Sequence, residues 1–160
     1  MPITLRHNET LELSRAEYSG VMRAQDLYDH AAYNAANPVW LGFDCISVIH
    51  ADVDVSAISL DNLDGVFSAH RELFEPLNLM FMRRSGWVCE SPMGQRFLSH
   101  WLSRRHIDKS AYSDVRQFDN FEAAGQWMLL SAENTAILKS GEGFQDIARF
   151  ASAAAPIAIR

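Results

Sequence analysis

Apolar and polar positions alternate at the start of the chain: Ile3, Leu5 and His7 share one face, Asn8-Glu9 interrupts, and Leu11 and Leu13 alternate again with Glu12 and Ser14. Period two with a short polar break predicts a β-hairpin over residues 3–18. Gly20 ends that pattern, and Ala24, Leu27, Tyr28, Ala31, Ala32 and Ala35 then fall on one helical stripe closed by Asn37-Pro38. From Val39 to Ile49 the chain is nearly all apolar, with Asp44 as its acidic interruption, and this predicts a strand covered on both faces.

A polar loop, His50-Ala-Asp52-Val-Asp54, follows, and Ser59 stands where a helix N-cap is expected, with Asp61 in the first turn. That helix would bury Leu63, Val66, Phe67 and Phe74 and stop near Pro76. Leu79 to Cys89 reads as a further strand with a bend or bulge at Gly86. Ser91-Pro92 opens a helix carrying Phe97, Leu98, Trp101 and Leu102. A short strand, Asp114–Phe118, leads into Asp119-Asn-Phe-Glu122, a capping-box-like start for a helix burying Phe121, Ala124, Met128 and Leu129. Two more helical segments, residues 132–139 and 144–151, flank Gly141-Glu-Gly143.

Strands alternating with helices of this length imply parallel neighbours joined by right-handed crossovers. The predicted fold class is α/β, a mixed and mostly parallel sheet of about five strands with an N-terminal β-hairpin, Cys45 on an interior strand and helices on both faces. Residues 1–130 form the α/β domain, and residues 131–160 a C-terminal helical extension packed on it.

Composition narrows the function classes. With 20 Asp or Glu against 14 Lys or Arg, a net charge of −6 and only two lysines, the chain lacks the concentrated basic face that nucleic acid requires. No stretch has the length of a signal peptide's apolar core or a membrane span, so a cytoplasmic protein without membrane association is expected. Cys45 and Cys89 are too few for a disulfide framework and are expected as free thiols. The apolar tail Ala153–Ile159 is costly to leave in water. Arg149 and Arg160 are too few for an interfacial helix, so the tail is expected to pack on its own domain or on a second copy, making a homo-oligomer.

Searches for common catalytic motifs leave little. A P-loop, a Gly-x-Ser-x-Gly elbow and a Cys-x-x-Cys pair are absent, and no cofactor is expected. His50, Asp52 and Asp54 follow the carboxyl end of a predicted parallel strand, where α/β sheets place ligands, and are the candidate metal ligands. Ala57 and Leu63 stand where an EF-hand loop needs glycine and glutamate, which favours a solvated connector. Arg84, Ser91 and Arg96 form a candidate anion site, since the free N–H groups of a helix start attract anions; of Arg83 and Arg84, alternation points only one inward.

The element order, strand-end Asp44, Ile58-Ser-Leu-Asp-Asn-Leu63 and the closing Asp114-Val-Arg-Gln-Phe-Asp-Asn-Phe-Glu-Ala-Ala-Gly-Gln-Trp127 resemble small bacterial STAS domains. These are the anti-sigma-factor-antagonist and sulfate-transporter-associated modules, with the SpoIIAA-like proteins near them. The resemblance covers roughly residues 3–130 and implies a regulatory rather than catalytic role. Signalling members carry a phosphorylatable serine in a pattern like Asp-Ser-Ser-Gly, a place held here by Val55-Ser-Ala-Ile-Ser59 without that Asp or Gly. Ser56 and Ser59 are the corresponding modification candidates. The resulting expectation is a non-catalytic regulatory or interaction module binding a protein partner or a small ligand. The alternative is a small metal-assisted hydrolase or other enzyme using His50, Asp52 and Asp54.

Overall fold

The computed structural model describes residues 2–78, 83–107 and 113–152. In chain order the elements are β1 (Ile3–Asn8), β2 (Leu13–Tyr18), α1 (Ala24–Ala36), β3 (Asp44–Ile49), α2 (Leu60–Phe74), β4 (Arg83–Cys89), α3 (Pro92–Ile107), β5 (Ser113–Phe118), α4 (Phe121–Trp127), α5 (Ala132–Ser140) and β6 (Gln145–Phe150). They build one six-stranded mixed sheet in the order β5-β4-β3-β2-β1-β6. Strands β2 to β5 are parallel, whereas β1 is antiparallel to both its neighbours.

Each step from β2 to β5 moves one strand along in the same direction, so right-handed crossovers put α1, α2 and α3 on a single face. One core lies there: Ile3, Leu5, Ala16, Tyr18, Cys45 and Ile49 meet Met22, Ile58 and Leu98. On the opposite face α4 and α5 pack Phe121, Ala124, Met128 and Leu138 against Leu13, Ile46, Val48 and Val88. Cys45 and Cys89 lie on adjacent strands and are free. Among the described residues no helix is long and apolar enough to cross a membrane.

Capping chemistry sets the helix starts. Ser59 Oγ accepts from Asn62 N at 3.0 Å, and Ser91 Oγ accepts from Gly94 N at 3.0 Å. The helix expected after Asp114–Phe118 starts one residue later than the Asp119 pattern implies, with Asn120 Oδ1 accepting from Ala123 N at 2.8 Å. That helix also ends at Trp127, leaving Leu129 82% exposed rather than in the buried stripe.

Three further expectations are corrected. Residues 39–49 are not one strand: Pro38–Gly42 is a 3₁₀ turn and β3 begins at Asp44, because Pro38 fixes φ and lacks the N–H a strand would donate. Gly86 is not a bulge, since β4 pairs regularly through it. A Cβ there would stand 3.1 Å from Ile46 Cδ1 and 3.3 Å from Met128 Cε, so the glycine admits α4 close to the sheet. The expected strand from Leu79 begins at Arg83 within the described residues; residues 79–82 lie outside them.

The segment expected as helix 144–151 is β6, so residues 131–150 contribute a helix and a strand of the sheet rather than a helical extension. Gly141 ends α5 with φ +75°, Gly143 turns the chain with φ +73°, and the free edge of β1 supplies hydrogen bonds. A sheet edge offering ladder hydrogen bonds outweighs a short apolar stripe of helical spacing. The tail at 153–160 lies outside the described residues.

Candidate functional site

Beneath α1, α2 and α3 the sheet does not fill the space above it. On β2, β3 and β4 the side chains facing these helices include Ser14, Ala16, Cys45, Ser47 and Ser85, all small. The register puts Ser14, Cys45 and Ser85 in one row across three strands, and Ala16 beside Ser47 in the next. Side chains alternate between the faces of a strand, so these rows point together at the helices. Larger groups stand around them. Tyr18 stacks on Trp87 with ring centroids 5.5 Å apart, while His30 of α1 lies 6.3 Å from Tyr18 and 5.2 Å from Phe150.

The result is a cavity of about 170 Å³ between helices and sheet. Leu27 and Ala31 of α1, Leu63 and Val66 of α2, and Leu98 and Trp101 of α3 form much of its roof. Its polar groups include Tyr18, His30, Ser47, Ser85, His70 and Arg83. A void of this size in a close-packed interior forfeits dispersion contacts along its lining, and an apolar cavity of about 150 Å³ is enough to hold benzene.

The electrostatics of the cavity wall follow from the burial of its side chains. Burial pushes the Tyr18 hydroxyl well above its ordinary range, with the neighbouring Cys45 adding to the shift. Burial likewise raises the Cys45 thiol. His30 is lowered to about 4, first by burial and then by the positive charge of Arg83. Ser47 is hydrogen-bonded to both Tyr18 and Cys45. At neutral pH these three groups are therefore uncharged, and a thiol kept protonated is a poor nucleophile. Arg83, on the first residue of β4, brings charge to this wall.

The residues singled out from sequence lie elsewhere. His50 stands between two carboxylates, with Nε2 3.6 Å from Glu17 Oε1 and Nδ1 3.4 Å from Glu90 Oε2. Asp54 instead accepts from Ser56 N at 2.9 Å, and hydrogen bonding by Ser56 holds its carboxyl below the usual range. Asp52 is exposed. The structure thus does not bring His50, Asp52 and Asp54 together, and among the described residues no three His, Cys, Asp or Glu side chains converge on an ion site.

Arg84, Ser91 and Arg96 are also separate. Arg84 faces α4, where its Nε lies 3.0 Å from Asp44 Oδ2 and its Nη1 donates to Trp127 O at 3.0 Å. Ser91 lies beyond the far end of the same strand and is spent on its cap; Arg96 is exposed on α3. The inward-facing arginine is Arg83. Ser56 is exposed in the loop and Ser59 caps α2. Sequence reasoning missed Tyr18, His30 and Ser47, and of the two adjacent arginines it took Arg84 rather than Arg83. The one signal for them was the recurrence of small residues at alternate positions of three successive strands.

No family model, curated protein or solved structure matches the chain.

Proposed function

We propose that the chain is a non-catalytic regulatory module, STAS-like in kind, that binds a small ligand in the cavity beneath α1, α2 and α3. The observation carrying this reading is the cavity itself, about 170 Å³ lined by apolar side chains with a few convergent polar groups. The neutral states of Tyr18, His30 and Cys45 support binding over catalysis, because none is poised near neutral pH to pass a proton or attack a substrate. A metal-assisted hydrolase on His50, Asp52 and Asp54 finds no support in the placement of those groups.

Trp40, Trp87 and Trp101 line the cavity and report on its occupancy. A panel of neutral and charged compounds of about six to ten non-hydrogen atoms, sized from the benzene comparison, is titrated against tryptophan fluorescence. At least one compound should give a saturable change that Ser47→Leu, which fills the space, abolishes while the circular dichroism spectrum stays native. If no compound saturates, the cavity is not a binding site and the reading fails.

A further inference from the structure

We infer that the cavity ligand is a small organic monocarboxylate, its carboxylate held by Arg83 and its apolar body lying between the sheet and α2–α3. This deepens the binding reading above and rests on it. The net charge of −6 means that carboxylates outnumber cations, and six other arginines among the described residues have found them. Arg6 and Arg15 both pair with Glu17, Arg84 with Asp44, Arg104 with Asp64, Arg116 with Asp114 and Arg149 with Asp146. Among the described residues no carboxylate lies within ion-pair distance of Arg83, although its side chain lines the cavity. A guanidinium lining this cavity offers an anion from outside a charged partner with parallel N–H donors.

The remaining wall matches one end of such an anion. The hydroxyl groups of Ser47 and Ser85 border the same space from β3 and β4, and His30, kept neutral, adds a ring nitrogen from the roof. Arginine binds a carboxylate through two parallel N–H donors, a geometry that lysine does not offer. The apolar lining includes Leu63, Val66, Leu98 and Trp101, which suits an aryl ring or a short alkyl chain. Phosphate esters fit less well, because a dianion would meet one guanidinium and otherwise a mostly apolar wall. Size sets the upper limit, since about 170 Å³ slightly exceeds the void that holds benzene. Benzoate and hexanoate are the representative probes.

The test is isothermal titration of the full chain with benzoate and hexanoate beside their neutral counterparts benzamide and hexanol. The carboxylates should bind about 10- to 100-fold more tightly than the neutral compounds, the range of a charge-assisted hydrogen bond. Arg83→Met, which keeps the length of the side chain, should erase that preference while leaving hexanol binding within about twofold. Arg83→Lys should restore part of it. Equal binding of neutral and anionic probes to the native protein overturns the carboxylate assignment but leaves the cavity as a binding site. A preference that survives in Arg83→Met overturns the role of Arg83. Failure of every probe to bind removes the cavity reading itself. If Arg83→Met does not fold, the comparison of Arg83→Lys with the native protein decides: undiminished discrimination there refutes recognition by the guanidinium.

Discussion

Replacing His30 with phenylalanine should make the protein much less sensitive to mild acid. His30 packs beside Tyr18 and Phe150 at ring distances of 6.3 and 5.2 Å, a setting that suits a neutral aromatic ring and penalises an imidazolium. Its folded value of about 4 lies below the ordinary 6.5, so the unfolded chain takes up its proton first as pH falls. Stability from this residue is complete above the unfolded value, declines as pH drops from 6.5 towards about 4, and levels off below. A gap of that size is worth on the order of 3 kcal/mol at 1.36 kcal/mol per unit. Against a total stability of roughly 5–15 kcal/mol, such a loss is large. Urea unfolding of both proteins at about pH 7, 5.5 and 4.5 measures it. The phenylalanine variant should lose about 2–2.5 kcal/mol less than the native protein across that interval. His7, which burial also lowers, retains its own acid response in both proteins. Identical pH dependence in the two would show that His30 is not held neutral by its surroundings and refute the argument.

Asp26 is fully buried, accepts from Arg23 N at 2.8 Å and also takes the Ser152 amide, so Asp26→Ala removes a cap and strands two donors; urea midpoints should report a loss of about 2–4 kcal/mol. Arg15→Ala should cost about 3–5 kcal/mol by the same assay, because Arg15 is buried with its guanidinium on Glu17 and on the Leu138 and Lys139 carbonyls of α5. Arg15→Met, a hydrophobic replacement of similar length, should cost clearly less. Leu129 is 82% exposed with φ +60°, so Leu129→Asn should stabilise by about 0.5–1 kcal/mol, read as a rise in melting temperature. With a thiol reagent under native conditions Cys89 should react well before Cys45, which is buried and whose thiol burial pushes up; equal rates would contradict the placement of Cys45.

Local chemistry is legible in this chain, and long-range geometry is much less so. The hairpin, the start of α1, the Ser59 and Ser91 caps and the alternation that makes an α/β fold all depend on residues a few positions apart. The strand identity of 145–150 does not, because Phe144, Ile147, Ala148 and Ala151 satisfy helical spacing in isolation and only the waiting edge of β1 decides between the two. The cavity is harder still to see. Ser14, Cys45 and Ser85 are unremarkable small residues until strand register lines them up, and that register is a property of three strands at once. Arg83 and Arg84 show the limit of alternation: it separates their faces, but the partner that claims Arg84, Asp44, is 40 residues away.

The pairing of β6 with β1 also bears on how the chain folds. Ile3 lies opposite Phe150, so the first strand made waits for the last before both its edges are satisfied. At ordinary synthesis rates of about 5–20 residues per second, β1 spends roughly ten to thirty seconds with that edge open after it emerges. Contacts of such sequence separation also slow folding of the released chain. The nascent hairpin is therefore the segment most in need of protection from edge-to-edge association. The charged side chains of Arg6 on β1 and Arg15 and Glu17 on β2, which in the finished fold join one ion-pair network, are well placed to discourage it.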